Sequence, residues 1–230
     1  MRTFLGLLLI IATTGCTTTA NLERAVQART GGLAYVLDSH KAETKDKTLA
    51  LTSFVADDLF ERATTVKRTS TFFLPLVVFN LFRSQDNIQL GHAQLKTDYR
   101  QFFRESLVEE IQRSGRYTVK DGQADYALDV KIRKVDIAAP INQRFVLVIP
   151  VYIFFWQTAF TAGPADVSVV AEVKLMKAQT ALLTREIKGT YRTSAFGKGA
   201  LPDYVTAVIQ AVSLATKDLN ENIVAELNHI

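Results

Sequence analysis

The 230-residue chain holds one cysteine and three histidines. A lone cysteine excludes an internal disulfide framework and any cysteine-based zinc cluster, and three scattered histidines leave too few ligands for a dedicated metal cage. Charge runs are missing too. The 27 Lys and Arg against 23 Asp and Glu leave a net +4 spread along the chain, so the concentrated basic patch of a nucleic-acid binder is absent and no nucleic-acid partner is expected. No Gly-x-Ser-x-Gly elbow occurs, and Gly197–Lys198–Gly199 lacks the spacing of a phosphate loop. Asp57–Asp58 and Glu109–Glu110 are adjacent pairs whose side chains diverge in regular structure, unlike the facing carboxylates of a glycosidase. His40, His92 and His229 have no second ligand type at helical spacing and read as solvated. The chain is therefore expected to be no enzyme, with no catalytic residue, cofactor or metal. Its 48% hydrophobic and 22% charged residues exclude disorder as its main character and provide for a substantial core.

What is present begins at the N-terminus. Arg2 is followed by an apolar run of nine, Phe4 to Ala12 (FLGLLLIIA), about half of what a spanning helix needs. Thr13, Thr14 and Gly15 lead into Cys16. This resembles the bacterial lipoprotein signal, in which a small residue precedes the cysteine that is lipidated; Thr13 stands where such signals favour an aliphatic residue. The resemblance implies that residues 1–15 are a signal peptide and that Cys16 carries thioether-linked diacylglycerol and an N-acyl chain such as palmitate, two chains being what stable anchoring takes. Thr17 in place of Asp implies, by the enterobacterial sorting rule, the periplasmic side of the outer membrane. The alternative is a plain export signal with an incidental cysteine.

Residues 16–47 read as a lipidated tether with an edge element, in which only Leu33 to Leu37 is strand-like, and 48–230 as one α+β domain. In 48–55, Leu49, Leu51 and Val55 share one parity, as in a half-buried strand. The spacing of Tyr99, Phe102, Phe103, Leu107, Val108 and Ile111 predicts a helix over about 97–114, capped by Thr97 or Asp98 and stopped at Gly115. A short strand at 117–120, a turn at Asp121–Gly122 and a long alternating strand at 124–138 follow, with a bulge expected near Arg133–Lys134 where the parity switches. Segments 166–177 and 182–193 read as a hairpin. A stripe of Val205, Val208, Ile209, Val212, Leu219, Ile223 and Leu227 predicts a long C-terminal helix with Pro202 in its first turn. Together these predict a mainly antiparallel sheet packed by two helices.

Two apolar runs interrupt this pattern. Phe72 to Phe82 (FFLPLVVFNLF) has nine large apolar residues in eleven, including Phe73 and Phe79, and Phe145 to Trp156 (FVLVIPVYIFFW) has eleven in twelve, including Val148, Tyr152, Phe154 and Phe155. At roughly 1.5–3 kcal/mol per large side chain, leaving the second run in water would forgo roughly 15–30 kcal/mol. Neither reaches the length of a spanning helix, each holds a proline near its middle, Pro75 and Pro150, and neither alternates as a lipid-facing barrel strand does. Three coverings compete: a core of strands buried on both faces, a docking surface for a protein partner or a second copy, and a dip into the lipid leaflet beside Cys16.

At 102–116, 124–135, 165–176 and 187–196 (FFRESLVEEIQRSGR, ADYALDVKIRKV, ADVSVVAEVKLM, IKGTYRTSAF) the pattern resembles the YajG-type periplasmic lipoproteins. Those belong to a wider group of envelope lipoproteins with an anticodon-binding-domain-like α+β module. The resemblance covers roughly 97–228, does not extend to 139–164, and implies an accessory or assembly subunit of an envelope or secretion complex, with no catalytic residues to carry over. The alternative is a lipid- or hydrophobic-ligand-binding module whose cavity the two runs line.

Overall fold

A computed structural model of the chain describes residues 24–37, 45–56, 66–73, 79–91, 94–114, 116–148, 155–194 and 201–230. The fold is α+β, with two sheets. The first sheet has the order β4-β1-β5-β8-β9, formed by β1 (Lys47–Ala56), β4 (Tyr117–Val119), β5 (Tyr126–Ala138), β8 (Asp166–Lys177) and β9 (Thr180–Arg192). The second has the order β2-β3-β6-β7, formed by β2 (Val66–Phe73), β3 (Phe79–Ile88), β6 (Pro140–Val148) and β7 (Phe155–Ala162), all antiparallel. Helices α1 (Tyr99–Ser114) and α2 (Leu201–Asn228) complete the first module.

One face of the first sheet makes the core. Leu128, Val130 and Ile132 of β5 and Val167, Val169, Ala171, Val173 and Leu175 of β8 alternate inward and are buried. The full α2 stripe is buried with them, as are Tyr99, Phe103, Leu107 and Ile111 of α1. Asp98 caps α1: the Arg100 N–H donates to its carboxylate at 2.8 Å. The opposite face of the sheet is a wet ionic ladder, in which Glu172 pairs with Arg133 and with Lys174 at 2.9 Å, as an antiparallel sheet covered on one side permits.

Three local expectations change. β1 pairs parallel with both β4 and β5, so the first sheet is antiparallel only from β5 onward. A register shift between Leu51 and Ser53 flips the parity of β1. Phe54 then takes the core side, its ring 5.3 Å from that of Phe103, and Val55 is left 42% exposed. Leu33 to Leu37 joins no strand ladder. The segment docks instead through single bonds: Gly31 bridges to Leu95, the Ala34 N–H donates to Ser213 Oγ at 3.2 Å, and Tyr35 Oη donates to the buried Glu110 at 2.7 Å. The bulge in β5 falls at Arg133, between Ile132 and Lys134, as its parity switch predicts.

The second sheet grows out of the first. β5 passes through the single residue Ala139 into β6, where Pro140 occupies the first strand position, a site that tolerates its missing N–H. The Pro140 carbonyl accepts from the Gly163 N–H at 2.9 Å and from Tyr204 Oη at 3.2 Å, and the Ile88 N–H donates to Ala139 O at 3.1 Å. Ile88, Ala139, Ile141 and Ala162, all buried, join the foot of the second sheet to the common core.

Candidate functional site: the apolar end of the second sheet

The pairing register decides how the two apolar runs relate. Neither run is a single strand. Each comprises the end of one strand, a connection outside the described residues, and the start of the next: β2 into β3, and β6 into β7. Because β3 pairs with β6, both hairpins turn at the same end of the sheet, remote from the junction at Pro140.

Moving away from the junction, successive rows change character abruptly. The foot reads Arg68–Asp86–Ile141–Ala162, then Thr69–Gln85–Asn142–Thr161, then Ser70–Ser84–Gln143–Phe160. Next comes Thr71–Arg83–Arg144–Ala159. Beyond it stand Phe72–Phe82–Phe145–Thr158, Phe73–Leu81–Val146–Gln157, Asn80–Leu147–Trp156 and Phe79–Val148–Phe155. Neighbouring rows face opposite sides of the sheet, so the far end is apolar on both faces and the middle is polar on both. This differs from the apolar-out, polar-in alternation of a membrane barrel.

Of the residues expected from the sequence to make hydrophobic contacts, Phe72, Phe73, Phe79, Phe82, Val148, Phe155 and Trp156 stand together in these rows. Tyr152, Phe154 and the lipidation candidate Cys16 lie outside the described residues. Sequence reasoning missed Arg83, which stands directly opposite Arg144 at the border of the apolar rows. Each belongs to an unremarkable polar stretch, and only the register of two strands some sixty residues apart pairs them.

The N-terminal segment arrives at the same end of the molecule as the foot of this sheet. Gly31 exchanges backbone bonds with Gln94 and Lys96, at 2.9 and 3.0 Å, shortly after the end of β3. A Cβ added to Gly31 would lie 2.9 Å from Ile209, five positions along α2 from the Tyr204 that holds Pro140. Val26, in the helical turn at 24–27, is fully buried in the core.

The first module holds strongly perturbed tyrosines. Burial pushes the Tyr35, Tyr99 and Tyr204 hydroxyls far up from the ordinary phenol value, Tyr35 with further help from the Glu110 carboxylate. Each hydroxyl is tied to a structural partner: Glu110, Thr216 Oγ1 at 3.0 Å and Pro140 O respectively. An open groove of about 910 Å³ between β1 and α1 is lined by Leu51, Phe54 and Val108 together with Arg100, Arg104 and Glu105. Among the described residues no group of three His, Cys, Asp or Glu is placed to hold a metal ion, and no helix is long and apolar enough to cross a membrane.

No family model and no curated protein matches the chain. Among solved structures the chain is similar to the crystal structure of protein XCC0632 from Xanthomonas campestris, family-model DUF330, with 14% sequence identity, a TM-score of 0.49, and coverage of 88% of this chain and 99% of that one.

Proposed function

We propose that this chain is a non-enzymatic lipoprotein of the outer membrane, facing the periplasm, anchored through acyl chains on Cys16, and that it acts as an accessory or assembly subunit of an envelope or secretion complex. The observation that carries the reading is the convergence of both apolar runs on one end of the second sheet. A module with its own core, placed at the junction through Ile88, Ile141 and Tyr204, has no folding need for the eleven large apolar residues in the far rows of an appended sheet. Retaining them makes sense when that end meets another apolar body, and the lipobox supplies the address at which it does so.

The test has two parts. Metabolic labelling with a palmitate analogue should mark the wild-type chain and leave Cys16→Ser unlabelled; labelling of that variant would remove the anchor. In mild detergent the native lipoprotein should migrate in an assembly of defined mass that Phe82→Asp and Val148→Asp both dissolve. Migration as a free monomer at its cellular concentration would remove the subunit role.

A further inference from the structure

We infer that the open edge of β1, from Leu51 to Ala56, binds an extended segment of a partner protein as an added strand, laid in the groove between that edge and α1. Every residue involved belongs to the first module, so the inference goes beyond the lipoprotein reading and stands or falls apart from it.

The first observation is an unfinished ladder. β4 pairs with β1 only over Lys47, Thr48 and Leu49, whereas β5 continues alongside to Ala56. The last bond on the β4 side is the Lys120 N–H donating to Leu49 O at 2.9 Å. Backbone groups alternate sides along a strand in step with the side chains. Leu51 and Phe54 pack on the core side as Leu49 does, so their N–H and C=O groups point, like those of Leu49, away from β5. Among the described residues no strand stands on that side beyond Val119.

The second observation is that the opposite edge of the same sheet is closed. Helix α2 reaches over β9: the Thr190 N–H donates to the Asp218 carboxylate at 2.8 Å, and Lys188 O accepts from Asn222 Nδ2 at 3.1 Å. Two groups that would template a further strand are thereby satisfied, which is how a sheet guards an edge. On β1 the Thr52 hydroxyl turns the other way and donates to Asp129 of β5 at 2.6 Å. Among the described residues no side chain of α1 bonds a backbone group of Leu51 or Phe54.

The third observation is the slot itself. The groove of about 910 Å³ is lined on its apolar side by the half-buried Leu51, Phe54, Val108 and Val119. From Leu51 to Ala56 the edge advances five residues, about 17 Å, room for a strand of about six. A strand added there turns every second side chain toward Leu51, Phe54 and Val108 and the others to solvent, so main-chain bonds supply affinity and alternate apolar side chains supply fit. The two ends differ in charge. α1 runs counter to β1, since Phe103 packs on Phe54 late in the strand while Tyr117, just past α1, pairs with Lys47 at its start. Arg100 and Arg104 therefore flank the Phe54 end, and Glu109 with Asp121 and Lys120 the Leu49 end. The matching partner is an extended polypeptide with apolar residues at alternate positions and carboxylates beside Arg100 and Arg104.

The full chain, purified in detergent and labelled for NMR, is titrated with eight-residue peptides that alternate valine and threonine and carry two glutamates at the amino or at the carboxyl end, so that both strand directions are offered. One of the two should slow amide exchange at Leu51 and Phe54 by about tenfold or more, as new hydrogen bonds require, while Ala50 and Val55, already turned to β5, change little. N-methylation of the peptide amides that face β1 should weaken binding by about tenfold or more, and at the outward amides by no more than about twofold. Arg104→Glu, at an exposed position, should weaken the glutamate peptide several-fold and favour one with lysines in their place. Leu51 and Phe54 amides that exchange slowly in the free chain, or that no peptide of the set protects at millimolar concentration, would overturn the inference. Binding indifferent to N-methylation would remove the strand pairing. Protection that grows with protein concentration in the absence of peptide would assign the edge to a second copy and so overturn the partner strand. Cys16→Ser should behave as the wild type in all of these measurements, which keeps the result separate from the lipoprotein reading.

Discussion

Gly189 of β9 lies directly against Ala215 of α2: a Cβ at Gly189 would sit 2.3 Å from the Ala215 carbonyl oxygen and 2.4 Å from the Leu219 N–H. Helix and strand are in backbone contact there, and nothing flexible can move aside. Gly189→Ala should cost about 3 kcal/mol, near the upper end for overpacking, and Gly189→Val more. The midpoint of urea unfolding measures it; a variant within about 0.5 kcal/mol of wild type would mean that α2 stands off the sheet.

The turn between β8 and β9 carries strain of the opposite sense. Ala178 and Gln179 both have positive φ, 44° and 70°, the geometry of the two-residue hairpin turn that favours Asn-Gly. An L-residue held in the left-handed region costs roughly 1–2 kcal/mol, part of which glycine gives back in unfolded-chain entropy. Gln179→Gly should therefore raise stability by about 0.5–1 kcal/mol, visible as a higher Tm; a lower one would contradict the turn geometry.

The hairpin, both helices and the β5 bulge were legible in the sequence because each is a local pattern: period two, period three to four, or a parity switch at Arg133. What was not legible is set by partners far along the chain. The bulge after Leu51 that turns Val55 outward shows only in the register of β1 against the distant β5, and no local signal marks it. The buried polar residues Ser106, Glu110 and Asn220 interrupt otherwise apolar helix faces and become intelligible only when Asn220 Nδ2 is seen donating to Ser106 Oγ at 3.0 Å and Tyr35 to Glu110. The candidate site behaves likewise. Both apolar runs were plain in the sequence, yet their adjacency and the Arg83–Arg144 pair follow from the β3–β6 register alone.

Tyr35 reports whether the N-terminal segment is truly docked. Its hydroxyl donates to Glu110, which is only 4% exposed. Tyr35→Phe removes a donor to a buried carboxylate and should cost about 1–3 kcal/mol. In a double-mutant cycle with Glu110→Gln the two changes should couple by at least about 0.5 kcal/mol; strictly additive effects would place the segment away from α1.

The outer ladder gives a pH signature. Arg133 beside Glu172, seconded by Lys174, holds its carboxyl down at about 2 from an ordinary value of 4.5. A depressed folded value means a contribution present above the unfolded pKa and lost as pH falls through the folded one, so the window runs from about pH 4.5 down to about 2. Since the pair stands on a solvated face, screening keeps the effect small, and the shift itself is the better readout. Carboxyl-resolved NMR titration should find Glu172 well below the other glutamates, and Arg133→Gln should return it toward the ordinary range. An unshifted Glu172 in the wild type would break the ladder.

Val148 distinguishes a contact surface from core. It stands in the last described row of β6, opposite Phe79 and Phe155, seven residues or about 24 Å along the strand from Ile141, which is fully buried at the foot. If the far end is packed inside the protein, Val148→Asp buries an unpaired carboxylate and should destabilise by about 3 kcal/mol or more, like Ile141→Asp. If that end serves a lipid or protein partner, Val148→Asp should leave the unfolding of the first module within about 0.5 kcal/mol of wild type and act only on association, whereas Ile141→Asp still unfolds the chain. Denaturant unfolding of the two variants in detergent, read by far-ultraviolet circular dichroism, separates the cases. Because both substitutions lie on the same strand of the same sheet, a difference between them cannot arise from strand propensity and must come from what each row touches.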